Sequence, residues 1–130
     1  MTNYQNKIAE KFGFSYLVLF GRARIGIASL LRVLGISNSH SFVLPSNICP
    51  TLFSVLDLVK CKIKLADISE KNGLPIDSEY IKKINECSNG YGVVMITNLY
   101  GFEGKHEGTK KIAKEKGWFV LENDTLATKI

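Results

Sequence analysis

Trp118-Phe119-Val120-Leu121-Glu122-Asn123-Asp124-Thr125-Leu126-Ala127 is the stretch on which the reading of this chain turns. Four large apolar residues in a row predict a buried strand in a sheet covered on both faces. The apolar run stops at Glu122, and two more polar side chains follow at once. In an open α/β sheet, ligands sit just outside the carboxyl ends of the strands. A carboxylate delivered there is a functional candidate. The plainer alternative is that Asn123 and Asp124 only begin a turn, which both residue types favour.

Upstream of that strand the chain alternates. Residues 8–12 predict a short helix broken by Gly13, and Tyr16-Leu17-Val18-Leu19-Phe20 predicts a strand. Gly21-Arg22-Ala23-Arg24 leads into a helical pattern carrying Ile25, Ala28 and Leu31 and stopped by Gly35. Gly21 thus lies at a strand-to-helix turn, whose unpaired N–H groups suit a phosphate and whose Arg22 and Arg24 could reinforce it; a plain tight turn with two surface arginines explains the same residues. Ser41-Phe42-Val43-Leu44 predicts a strand closed by Pro45, followed by the loop Ser46-Asn47-Ile48-Cys49-Pro50. Thr51 is a candidate cap for a helix with Leu52, Val55, Leu56 and Val59 as its buried stripe. Cys49 has no identifiable base and reads as a small packed cysteine.

Residues 62–68 alternate as a strand with one wet face, and Asn72-Gly73 marks a turn. Asp77 is a candidate N-cap for a helix carrying Ile81 and Ile84. Asn89-Gly90 punctuates again. Val93-Val94-Met95-Ile96-Thr97 is a buried strand ending in Asn98-Leu99-Tyr100-Gly101. Residues 102–107 read as a polar loop containing a solvated His106. The helix from about Gly108 carries Ile112 and Ala113 and is stopped by Gly117. Five strands alternating with four helices predict an α/β fold with a mostly parallel sheet and right-handed crossovers.

Composition narrows the function classes. A chain of 130 residues with 45% hydrophobic content predicts one globular α/β domain over 1–130 with a real core. The net charge of +5 is spread along the chain, with lysines at 60, 62 and 64 and again at 110, 111, 114 and 116. No basic patch interleaved with aromatics points to nucleic acid. Cys49, Cys61 and Cys87 are far apart, His40 and His106 are isolated, and no metal-ligand spacing occurs. An odd number of cysteines without a leader segment fits a reducing, cytoplasmic setting. No apolar run approaches the length of a membrane span.

The ordered set Phe20-Gly21-Arg22-Ala23-Arg24-Ile25, Val43-Leu44-Pro45-Ser46, Ala66-Asp67-Ile68, Ile76-Asp77, Asn98-Leu99-Tyr100-Gly101, Ile112-Ala113-Lys114-Glu115-Lys116-Gly117 and Val120-Leu121-Glu122 resembles the DegT/StrS-type sugar aminotransferases. These are pyridoxal-phosphate enzymes of the aspartate-aminotransferase fold. The resemblance runs from about Tyr16 to the last residue and implies part of a large cofactor-binding domain. By that resemblance, the turn Gly21-Arg22-Ala23 would cradle the cofactor phosphate. The loop holding Asn47 and Cys49 would pass beside the pyridine ring. The acid after the last strand would pair with the pyridinium nitrogen and let the ring act as an electron sink. The resemblance also implies a nucleotide-linked keto sugar as substrate, glutamate as amino donor and a homo-oligomer.

The chain departs from the family pattern at defined positions. Where the family carries an acid directly after the strand-ending Glu, this chain has Asn123, with Asp124 one residue later. Charge favours Asp124. Successive strand residues point to opposite faces, however, so only a changed backbone path would aim it at the ring. Arg22 and Ala23 stand where Thr and Ser are usual, Asn47 and Cys49 replace an aromatic, and Leu126 and Ala127 replace a Gln. The Schiff-base lysine lies beyond the aligned part, and Lys129 follows the acid strand too soon to be that residue. The expectation is a chain that ends before the catalytic lysine and is inactive alone, with no catalytic residue of its own. A complementing C-terminal polypeptide would then supply the rest, and the last strand would be an uncovered edge. The alternatives are a non-catalytic binding module that keeps the half-fold, or an independent phosphate-binding enzyme.

Overall fold

A computed structural model describes residues 3–87, 90–99 and 104–124. The elements run α1 (Asn3–Phe12), α2 (Ala23–Val33), β1 (Ser41–Pro45), α3 (Thr51–Val59), β2 (Lys62–Ala66), α4 (Asp77–Asn85), β3 (Gly92–Thr97), α5 (Glu107–Glu115) and β4 (Phe119–Asn123). The four strands form one sheet in the order β2-β1-β3-β4, and every neighbouring pair is parallel. This is the α/β fold that the alternation predicts.

Two apolar layers hold the sheet. Leu52, Val55, Leu56 and Val59 recur at helical spacing on α3. With Leu31 of α2 they bury against Phe42 and Leu44 of β1 and Val93 and Met95 of β3. The opposite face of the same strands presents Val43 and Val94 to Tyr80 and Ile84 of α4, Ala113 of α5 and Trp118. Alternation along β1 and β3 therefore feeds both layers, and β3 is buried along its whole length. The Tyr80 hydroxyl is buried and donates to the Met95 carbonyl at 2.9 Å. Gly92 is required where β1 and β3 meet: a Cβ there would lie 2.5 Å from the Ser41 carbonyl oxygen.

Several elements differ from the sequence expectation. Residues 16–20 form no strand; Tyr16 is 85% and Phe20 46% exposed, because no described strand lies beside them to accept their hydrogen bonds. The described sheet thus has four strands rather than five. The run from Trp118 to Leu121 is not covered on both faces. Trp118 closes α5, its N–H bonded to the Ala113 carbonyl after Gly117 turns the chain at φ 68°. β4 is a sheet edge, with Phe119 40% and Val120 38% exposed. β2 stops at Ala66, and Ile68 instead makes an isolated antiparallel bridge to Pro75.

Local polar roles also shift. Thr51 is the first residue of α3 and gives no side-chain cap; its Oγ1 lies 3.2 Å from the Cys49 Sγ. Cys49 is exposed rather than packed. Asp77 does not cap its own helix: its carboxylate accepts N–H bonds from Gly108 and Thr109, both at 2.8 Å, and so caps α5. His106 is buried rather than solvated, edge-on to Tyr80 with ring centroids 5.3 Å apart. Asn89 of the predicted turn, Tyr100 to Phe102 of the predicted loop, and Thr125, Leu126, Ala127 and Lys129 lie outside the described residues.

Candidate functional site

The topology says where to look. From β1 the chain passes to β2 on one side and then returns to β3 on the other side of β1. At such a reversal the loops leaving neighbouring strands diverge, and a crevice opens at their carboxyl ends. A cleft of about 180 Å³ lies at this end of the molecule. It is lined by Ala23, Arg24 and Ile27 of α2, by Ile48, Cys49, Thr51 and Leu52 at and before the start of α3, and by Asn123 at the end of β4. Three stretches far apart in sequence thus meet at one opening.

The α2 wall supplies positive potential. Arg22 is the N-cap, extended at φ −146°, and makes no side-chain cap bond. The first helical bonds are made by Ile25 and Gly26, at 3.0 and 3.3 Å to the Arg22 carbonyl. The amides of Ala23 and Arg24 precede them at the positive end of the helix dipole. Of the turn predicted from sequence, Ala23 lines the cleft; Gly21 and Arg22 are exposed just before it. Arg24, expected with Arg22 to reinforce the phosphate turn, also lines it.

The loop after β1 contributes Ile48 and Cys49 rather than Asn47. Asn47 turns away and donates from Nδ2 to the Gly73 carbonyl at 2.8 Å, tying down the loop between β2 and α4. The Cys49 thiol is held below the usual thiol range, chiefly by the hydrogen bond from the Thr51 side chain, with the Thr51 amide and Arg24 acting in the same direction.

The strand-end residues divide by face. Leu121 packs on the layer of α2 and α3, and Asn123, two residues on, shares its side of β4 and lines the cleft. Glu122 points to the other side, with Oε1 2.7 Å from the Lys110 Nζ of α5. Asp124 follows Glu122: its Oδ1 accepts from Asn98 Nδ2 at 2.6 Å, and its charge is felt at Lys110. The structure therefore brings Ala23 and Asn123 together and keeps Gly21, Arg22, Asn47 and Asp124 off the lining. At the end of β3, on the face of Met95, the buried Thr97 hydroxyl has no hydrogen-bond partner among the described residues.

Pyridoxal phosphate fits one end of this cleft and not the other. Helix amides backed by Arg24 suit a phosphate. A pyridinium needs a carboxylate beside its nitrogen, and the lining holds only the neutral amide of Asn123. Nor does any lysine belong to the lining, among the described residues. A larger hollow of about 390 Å³ lies between α2 and α3, away from the strand ends, and shares only Arg24 and Thr51 with the cleft. Among the described residues no group of three His, Cys, Asp or Glu side chains is placed to hold a metal ion. No described helix is long and apolar enough to cross a membrane.

No protein-family model matches the chain, and no curated protein matches it. Solved structures do. A DegT DnrJ EryC1 StrS aminotransferase from Brucella abortus superposes with a TM-score of 0.78 at 18% identity, covering 92% of this chain and 33% of that one. The aminotransferase from Psychrobacter cryohalolentis gives 0.84 at 14% identity, over 97% and 31%. A GDP-4-keto-6-deoxymannose-3-dehydratase with a trapped PLP-glutamate geminal diamine gives 0.79 at 17%, over 97% and 33%. The chain spans about a third of the length of each. At these identities the likeness concerns the fold: this chain has the fold of about a third of a DegT/DnrJ/EryC1/StrS aminotransferase chain.

Proposed function

We propose that this chain is the cofactor-phosphate-binding part of a pyridoxal-phosphate-dependent enzyme acting on nucleotide-linked keto sugars, and that it does not transaminate by itself. The observation that carries this reading is the meeting of Ala23 and Arg24, of Ile48, Cys49, Thr51 and Leu52, and of Asn123 in one cleft at the carboxyl ends of a sheet with the sugar-aminotransferase fold. In this reading residues 1–130 are one α/β unit of the large domain, working in the cytoplasm. Backbone amides of Ala23 and Arg24 bind phosphate, and Arg24 adds charge. Glutamate would be the amino donor.

Its incompleteness follows from the same cleft. Sites for small molecules commonly enclose ~300–1,000 Å³, and this one is about 180 Å³. Further walls, and the lysine that would hold the cofactor covalently, have to come from additional polypeptide or from a second copy. The uncovered edge at β4 and the exposed Tyr16, Val18, Leu19 and Phe20 are surfaces to which such polypeptide would join.

Titration of the chain with pyridoxamine 5′-phosphate, which binds without a lysine bond, tests the reading. Saturable binding followed by phosphorus NMR, weakened by Arg24→Glu, is expected, with no amino transfer from glutamate. A second reading, a non-catalytic binding module, is favoured by the neutral Asn123. Stable, monodisperse chain with no affinity for this probe would select it.

A further inference from the structure

We infer that the hollow between α2 and α3 is a docking groove for an acidic amphipathic helix of a partner polypeptide. The inference does not use the cofactor reading, and the residues it turns on, Arg32 and Leu58, lie outside the cleft.

Helical periodicity gives the groove its shape. Arg24, Ala28 and Arg32 recur every fourth residue on α2, and Thr51, Ser54, Val55 and Leu58 recur at three- and four-residue steps on α3. Each set is therefore one stripe along its helix, and the two stripes line the same hollow. Ala28, Ser29 and Ser54 are small, which lets a third helix come close. Ile25 and Leu58 also line the groove and are 52% and 66% exposed, so large apolar side chains stand open to a partner on both helices. An amphipathic helix fills such a groove with side chains at i, i+3, i+4 and i+7.

Charge selects the occupant. Arg24 and Arg32 are the charged residues of the lining, which holds no carboxylate. Neither arginine forms an ion pair with a described acidic side chain. They stand ~12 Å apart along α2 at ~1.5 Å per residue. A helix with an apolar stripe and carboxylates about two turns apart at its ends meets both guanidinium groups, which bind carboxylates through paired N–H bonds.

A second copy of this chain does not offer that pattern among its described helices. In α1, Lys7 and Lys11 flank Glu10. In α4, Tyr80 and Ile84 are buried and Asp77 is engaged in capping α5. In α5, Lys110, Lys111 and Lys114 lie between Glu107 and Glu115. The net charge of +5 also sets copies against each other. The complement is a different polypeptide.

The experiment titrates the intact chain into a fluorescent, end-capped peptide of about 18 residues, long enough to be helical alone. The peptide carries leucines along one face and a glutamate at each end of that face; its twin carries lysines at those two positions. Fluorescence anisotropy is expected to show saturable binding of the glutamate peptide, at least about 10-fold tighter than the lysine peptide. Arg32→Glu is expected to weaken the glutamate peptide by about 5- to 10-fold and to strengthen the lysine peptide, an exchange that misfolding would not produce. Leu58→Ser is expected to weaken both. Equal affinity for the two peptides, no binding at millimolar chain, or a preference that Arg32→Glu leaves unchanged overturns the inference. So does sedimentation of the chain alone as a dimer that Leu58→Ser dissociates, because the groove is then covered by a second copy.

Discussion

Asn98 and Asp124 are tied across the ends of β3 and β4 by a 2.6 Å hydrogen bond from Nδ2 to Oδ1, and the same Asn98 accepts from the Gly104 amide at 3.2 Å through Oδ1. The acidic residue favoured by charge is thereby engaged on the far side of the strand. Its neighbour Asn123 occupies the cleft instead. Asn123→Ala is expected to weaken pyridoxamine 5′-phosphate binding by roughly 2- to 10-fold, the worth of one ordinary hydrogen bond. Asp124→Ala is expected to stay within about twofold by the same measure. Equilibrium titration of both variants separates the two residues.

The Asp77 carboxylate works as a link between helices. It accepts from the Gly108 and Thr109 amides at the start of α5 and from the Thr109 hydroxyl. Burial opposes its charge, but these bonds and the nearby His106 prevail and hold its carboxyl below the usual carboxylate range. Asp77→Ala is expected to cost about 0.5–2 kcal/mol, as loss of a cap does, read as a lower midpoint in urea. The group's folded pKa is depressed, so its contribution is complete above about pH 4 and is lost as pH falls further.

His106 gives a second, higher pH window. Its ring is buried against Tyr80 and neither ring nitrogen has a hydrogen-bond partner among the described residues. Burial lowers its pKa, and Lys110 adds to that, while Asp77 at 3.9 Å and Glu122 oppose it. A folded pKa below the unfolded value of about 6.5 means that stability is complete above pH 6.5 and declines as pH falls below it. Urea unfolding between pH 7 and pH 5 is expected to show that decline. His106→Phe, which keeps the ring packing, is expected to flatten it.

Cys49 reports on the cleft. Exposed and with its thiol pKa lowered, it is expected to react with a disulfide reagent at least about 10-fold faster than Cys61, which is buried and shifted upward by burial. Thr51→Val should slow Cys49 by removing the main lowering contact. Saturating pyridoxamine 5′-phosphate should also slow it, because Cys49 lines the same opening. Labelling unaffected by the ligand would place binding elsewhere.

The sequence was most legible where side-chain periodicity and burial agree. The stripe Leu52, Val55, Leu56 and Val59 marks α3, and the run 93–97 marks β3, because each is buried along its predicted face. Residues 16–20 read as a strand by the same apolar logic, but a strand needs a neighbour, and composition does not report one. The apolar run before Glu122 identified β4 but overstated its burial, since an edge strand and a central one share a composition. Asp77 was legible as a cap yet serves α5, a tertiary choice that lies 31 residues away. The alternation rule alone predicted which of Asn123 and Asp124 would share the face of Leu121. Of the two arginines read from sequence as reinforcing the phosphate turn, Arg24 lines the cleft and Arg22 does not, because only Arg24 lies inside α2.

If Ala23, Arg24, Ile48, Cys49, Thr51, Leu52 and Asn123 form one phosphorylated-ligand site, amide shifts in a proton–nitrogen NMR titration with pyridoxamine 5′-phosphate will map to them. Saturable shifts are expected at Ala23, Arg24, Cys49 and Asn123, with little change at Arg32 and Leu58 in the hollow between α2 and α3. Shifts centred on that hollow, or none at millimolar ligand, would contradict it.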